Sequence, residues 1–189
     1  MLSKKDQILA AAEKVIAKKG FDGLSMQQVA KEANISTGGI YLYFSCKDEL
    51  VVALRKTVIT NLAQELLHGI SDNYSSWENY RIVWFNIVKY GKIHSDNKIS
   101  FEQYQKLPQL SYDSVNQYEK LLFAPLYQIY LKAIAEGEIL NIDVNYLVAL
   151  SLESAAALAR YIRRESIPYD PIKLDEICRI SWQAICYKS

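Results

Sequence analysis

Two tyrosines, a threonine and two adjacent glycines stand within the seven residues Thr37-Gly38-Gly39-Ile40-Tyr41-Leu42-Tyr43. Their hydroxyls donate and accept hydrogen bonds, and phosphate oxygens and base edges are suitable partners. Each glycine in an exposed helix start costs about 1 kcal/mol relative to alanine. A helix accepts that cost when something must come very close to its backbone, as a DNA groove does. Upstream, Ser25 and Gln27 open a helix whose free N–H groups and dipole favour a phosphate. Downstream, Lys47 begins another helix within reach of a DNA backbone. The candidate DNA-contacting set is therefore Ser25, Gln27, Thr37, Gly38, Gly39, Tyr41, Tyr43 and Lys47. The plainer reading is that the tyrosines pack against neighbouring helices, Ser25 only caps, and Lys47 is an ordinary surface lysine.

Other chemistry finds little support. No histidine accompanies a candidate nucleophile, no glycine-rich phosphate loop is present, and metal ligands are not clustered. No catalytic residue, metal or cofactor is assigned. The three cysteines lack CxxC spacing and only two histidines occur, so free thiols in a reducing compartment are expected.

Short helices must position the contacting residues. Ser25 with Gln28 forms a potential capping box, and Val29, Ala30 and Ala33 give the helix that follows an apolar side. Asn34 suits a left-handed turn, and Ile35 would plug that turn into the core. Ser36 caps a second helix whose buried positions are Ile40 and Phe44, four apart on one face. This arrangement is a helix-turn-helix. Before it, Ser3 and Asp6 start a helix with Ile8, Leu9, Ala12, Val15 and Ile16 at helical spacing, ended by Gly20 and Phe21.

At these residues the chain resembles the TetR family of bacterial transcriptional regulators. The resemblance rests on Ser36-Thr37-Gly38-Gly39-Ile40-Tyr41-Leu42-Tyr43-Phe44 with Lys47-Asp48-Glu49-Leu50, on Ile8-Leu9-Ala10-Ala11-Ala12, and on Gly20-Phe21. It covers about the first 55 residues. Asn34 departs from the usual glycine, and Thr37 stands where lysine or arginine is frequent. What the resemblance implies is a homodimer on a double-stranded operator, with a small-molecule inducer held in the rest of the chain.

The remaining sequence reads as helix throughout. Ser45 and Asp48 cap a helix from Lys47 to about His68; further helices are expected near 76–94, 99–106, 112–136, 144–164 and 172–187. Pro125 should kink or interrupt the stretch at 112–136. No strand is credible, so the fold class is all-α with about nine helices. The expected division is a helix-turn-helix domain at 1–50 and a helical effector-binding and dimerisation domain at 51–189.

Twelve aromatic residues fall in the 54 positions from Trp77 to Tyr130. Rings at helical spacing are usually core, yet rings with polar handles also describe a small-molecule site. The candidate effector-binding residues are Trp84, Phe101, Tyr104, Tyr118 and Tyr127, and the expected ligand has substantial apolar or aromatic surface. Further on, small residues from Ser151 to Ala159 allow close helix approach. With the apolar last helix they suggest a two-fold interface through Ala156, Ile177, Ser181 and Ile185; the alternative is the core of a monomer.

The formal charge is +1, but residues 1–56 carry nine Lys/Arg against six Asp/Glu, and the rest 13 against 15. A basic head on a slightly acidic body fits a nucleic-acid contact at one end. No signal core or membrane-length apolar run is present, so a soluble cytoplasmic protein is expected. The reading is a ligand-responsive DNA-binding regulator, taken as a repressor released from a palindromic operator by an organic effector. The alternatives are a helical adaptor without DNA binding and a helical enzyme.

Overall fold

A computed structural model describes residues 3–92, 98–100, 103–104, 106–108 and 112–187, with the side chains of 112–116 excepted. Ten helices lie among the described residues: α1 (Lys4–Lys19), α2 (Met26–Ala33), α3 (Thr37–Tyr41), α4 (Lys47–Leu66), α5 (Ser76–Lys92), α6 (Tyr112–Leu122), α7 (Ala124–Ala135), α8 (Val144–Ser151), α9 (Glu153–Arg163) and α10 (Pro171–Gln183). A single β-bridge between Ile139 and Cys186 is the only strand-like pairing among them. The fold class is all-α, as expected. The chain forms two compact units, Met1–Leu62 with His94–Lys120, and Ala63–Ile93 with Leu121–Ser189.

In the first unit α1 begins at Ser3 and Asp6, as expected, through a capping box: Ser3 Oγ accepts from the Asp6 N–H, and the Asp6 carboxylate accepts from the Ser3 N–H. Its apolar stripe, Ile8, Leu9, Ala12, Val15 and Ile16, is buried. α1 ends at Gly20, whose φ of +71° is one an L side chain rarely adopts. α4 buries Leu50, Val51, Leu54, Val58 and Leu62. Its start differs from the expectation: Glu49, not Asp48, accepts from both the N–H and the hydroxyl of Ser45, each at 2.7 Å.

A buried arginine organises the middle of this unit. Arg55 on α4 is only 2% exposed, and its guanidinium donates to the carbonyls of Leu107 (2.7 Å) and Tyr104 (3.4 Å). It also pairs with Glu119 on α6 at 3.3 Å and lies over the Tyr104 ring at 4.6 Å. Its Nε has no partner. The stretch at 98–108 bonds α1 as well. Gln103 Nε2 donates to the carbonyls of Ile16 and Ala17, and the Ile99 N–H donates to Glu13. Gln103 and Tyr104 are helical, in line with the short helix expected there.

The second unit is built on α5. Tyr80, Val83, Trp84 and Val88 from α5 are buried with Ile129, Tyr130, Ala133, Leu147, Ala155, Cys178 and Trp182. Buried hydroxyls find partners within it: Tyr80 with Ser181, and Tyr130 with Ser151, both at 2.8 Å. The helix expected at 112–136 breaks at Phe123, with Pro125 in the first turn of α7, where a missing N–H costs nothing. The helix expected at 144–164 is two helices, divided at Leu152.

Candidate nucleic-acid interface

The presenting surface is assembled from caps and two anchors. Ser25, in extended backbone, accepts the Gln28 N–H and so starts α2. The Gln28 side chain does not close the box; it accepts from Lys19 at 3.0 Å. Asn34 ends α2 in the left-handed conformation, φ 54° and ψ 48°, which its short polar side chain tolerates. Ile35 is half-buried, and Ser36 caps α3 by accepting the Gly39 N–H at 3.1 Å. Ile40 and Phe44 are then fully buried. The chain turns on Phe44 and Tyr43 N–H bonds to the Ile40 carbonyl, which continue the helical sense past α3.

With those anchors inside, the outward set is fixed. Tyr41 is 52% exposed and Tyr43 42%; Gly38, Ser25 and Gln27 are exposed, Thr37 and Gly39 half-exposed. The seven sequence-nominated residues of α2 and α3 therefore lie on the surface rather than in the core, and the tyrosine hydroxyls make no described side-chain bond. Lys47 is half-buried, with its ammonium 4.6 Å from the Phe21 ring centroid. Lys5 lies similarly over Phe44 at 5.4 Å. A cleft lined by Lys4, Gln7, Ile8, Ala33, Ile35, Gly39, Leu42 and Tyr43 opens on this surface.

The two glycines differ. A Cβ on Gly38 would meet nothing within 4 Å, whereas one on Gly39 would lie 3.2 Å from the capping Ser36 Oγ. No protein atom requires glycine at 38.

The aromatic residues nominated for an effector divide between the units. In the first unit Tyr104 is buried and donates to Glu119, while half-buried Tyr118 shares a 2.7 Å hydrogen bond with Thr60. Burial raises the Tyr104 hydroxyl well above the ordinary tyrosine pKa, and the bond to Glu119 raises it further. In the second unit Trp84 is fully buried and donates to Ser154 at 3.0 Å; Tyr127 donates to Asn145 at 2.9 Å. Phe101 lies outside the described residues. Arg55 was missed by the sequence reading, although Val51, Arg55, Val58 and Leu62 share one α4 face and mark it as inward.

The interface candidates also divide. Ala156 and Ile177 are half-buried. Ser181 and Ile185 are not available to a partner: Ser181 is bonded to Tyr80 within the unit, and Ile185 is fully buried. Ser181, Trp182 and Ile185 face inward while Ile180, Gln183 and Ala184 between and beside them are exposed, so the assignments of Ser181 and Ile185 are corrected. The small residues of α9 have a use inside the unit too, since a Cβ on Gly91 would lie 2.6 Å from the Ala159 Cβ. That is a close α5–α9 approach.

Among the described residues no group of three metal-ligating side chains occurs, and no helix is long and apolar enough to cross a membrane.

Residues 8–54 match the bacterial regulatory proteins of the tetR family, and residues 76–186 match the tetracyclin repressor-like C-terminal domain. An uncharacterized HTH-type transcriptional regulator of Haemophilus influenzae is 29% identical over 180 residues, covering 95% of this chain and 94% of that protein. Among solved structures, a protein of Vibrio parahaemolyticus assigned to the TetR regulators is 33% identical, with a TM-score of 0.87. That match covers 98% of this chain and all of that one. A TetR-family regulator of Haemophilus influenzae superposes with a TM-score of 0.81 at 28% identity, over 97% of both chains.

Proposed function

The chain belongs to the TetR family of DNA-binding transcriptional regulators, which are not enzymes, and from that premise we propose that it is an effector-released repressor. Two linked heads hold a palindromic operator. A small organic compound bound in the C-terminal part weakens that hold by favouring a different arrangement of the pair. Residues 1–50 act as the DNA-binding domain and 51–189 carry effector binding and dimerisation, in the cytoplasm where the operator lies.

The observation that carries the reading is the fixed outward set on α3. Ile40 and Phe44 anchor the segment, Ser36 caps it, and Thr37, Gly38, Gly39, Tyr41 and Tyr43 are left to a partner. Thr37 and Gly39 stand nearest base edges, and the tyrosine hydroxyls with Ser25, Gln27 and Lys47 take phosphates. Selection of bound fragments from genomic DNA, followed by gel-shift titration at fixed salt, tests it. Tyr43→Ala should weaken binding without unfolding the protein. Unchanged affinity in Tyr43→Ala and Thr37→Ala together would remove α3 from the interface.

For the effector, Tyr104 beside Arg55 and Tyr118 beside Thr60 and Lys56 carry the proposal best, because their hydroxyls supply polar handles next to apolar ring surface. Phe101, Trp84 and Tyr127 were nominated as well; Trp84 and Tyr127 belong to the second unit, where Trp84 is chiefly a core residue. The ligand is an organic compound with substantial apolar or aromatic surface. Burying such a surface at roughly 25 cal/mol per Å² supplies micromolar affinity after the entropy of binding is subtracted. Tyr118→Phe should reduce release by the effector while leaving operator affinity intact.

A further inference from the structure

Leu42 is the most exposed large apolar side chain among the described residues, at 85%. An isolated exposed leucine needs no explanation. This one, however, sits on the element that faces DNA, between Tyr41 and Tyr43, both exposed. Its backbone is helical, φ −71° and ψ −20°. At about 100° per residue, Leu42 projects about 200° from Ile40 and about 200° from Phe44. The two buried anchors thus point it directly away from the core. Gly38, one turn earlier, lies on the same outward ridge with no protein atom within 4 Å of a Cβ built there. The ridge presents bare backbone and then a branched apolar side chain. Beside it opens the cleft walled by Ile8, Ala33, Ile35 and Tyr43, with Lys4 also on its lining.

A hydrogen-bonding side chain would read donors and acceptors; leucine has none. In the major groove the apolar group on a base edge is the C5-methyl of thymine. We propose that Leu42 is a specificity-determining residue that reads a thymine methyl in each half-site of the operator. The assignment rests on the operator-binding reading of α3. Gly38 lets the groove edge come close, and Leu42 covers the methyl from water. The basic side chains Lys4 and Lys5, at the start of α1, supply charge to the flanking backbone.

The test uses the full-length protein and duplexes selected from a random pool. In the consensus duplex each thymine is replaced in turn by deoxyuridine, which differs only in lacking the methyl. Binding is titrated at fixed salt. The wild type should lose about fourfold per half-site at one symmetry-related pair of positions, the worth of one buried methyl. Leu42→Ala should bind the thymine duplex more weakly by a similar factor and bind thymine and deoxyuridine equally at that pair. Leu42→Gln, which keeps the length without the apolar branch, should behave the same way. Indifference of the wild type to deoxyuridine at every position overturns the assignment. So does an undiminished preference for thymine in both variants, which would transfer the methyl contact to another residue. Failure to enrich any duplex overturns the operator reading itself and the assignment with it.

Discussion

Gly38 and Gly39 are neighbours with different reasons for being glycine. Alanine at 38 meets no protein atom within 4 Å and gains helix propensity, so Gly38→Ala should raise stability by up to about 1 kcal/mol. The same methyl should obstruct the groove, so operator affinity should fall severalfold while the urea midpoint holds or rises. Opposite movement of the two measurements separates a contact from a fold effect; a parallel fall would sink the argument. Gly39→Ala is a poorer probe, because its Cβ would crowd the Ser36 Oγ that caps α3. Glu13 offers a second test. Burial pushes its carboxyl above the ordinary value, with the Ile99 N–H and Lys98 pulling the other way. The folded state then holds the proton more tightly than the unfolded state. The associated stability is present below the ordinary carboxylate range and is lost as pH rises through the raised pKa. Glu13→Gln keeps an acceptor for the Ile99 N–H and removes the desolvated charge. Its urea midpoint should exceed that of the wild type at pH 7, and the gap should close below about pH 4.

Elements were legible where the signal is local. Ser3 and Asp6, Ser25, Asn34 and Ser36 determine helix ends through their own side chains, and each stands where its chemistry directs. Pro125 ended a helix for the same reason. The break at Leu152 had no such marker, since neither glycine nor proline stands near it and the apolar pattern runs through. What was not legible is partnership between distant segments. That Ser181 turns inward to Tyr80, 101 residues away, is a matter of tertiary packing. That Trp84 packs into the core of its unit follows from α9 and α10, not from its own helix. Arg55 belongs to the same class: the α4 pattern pointed it inward, but its partners Tyr104, Leu107 and Glu119 lie 49 to 64 residues on. Removing it leaves two carbonyls and the partly exposed Glu119 carboxylate without their charged donor. Arg55→Ala should therefore lower stability by about 3 kcal/mol or more in urea denaturation. A loss under about 1 kcal/mol, the usual worth of a surface pair, would show that the cluster carries no such weight.

For the whole molecule, a palindromic operator needs two heads on one rigid base, so the remaining question is which surface joins two copies. The packing within one chain narrows it. Ala155 and Ala159 of α9 are taken up against α5, and Ser181 and Ile185 face inward. What α9 and α10 leave outside is apolar all the same: Tyr161 is 57% exposed, Ile172 83% and Ile180 55%, with Ala156 and Ile177 half-buried. Ile172, Ile180 and Ile177 fall within about 140° of arc on α10 at helical spacing, wide enough for an apolar stripe that one chain leaves unused. Two substitutions on this helix and the residues after it should then behave differently. Ile180→Asp places a charge on the exposed stripe, so the protein should become monomeric with a near-unchanged unfolding midpoint, and operator affinity should collapse. Ile185→Asp places the charge at a fully buried site, so it should lose helical signal and solubility whether or not a dimer exists. Light scattering with circular dichroism on both variants distinguishes these outcomes. A folded Ile180→Asp dimer that still binds operator would move the interface off this face, and a wild-type monomer at micromolar concentration would end the two-headed reading.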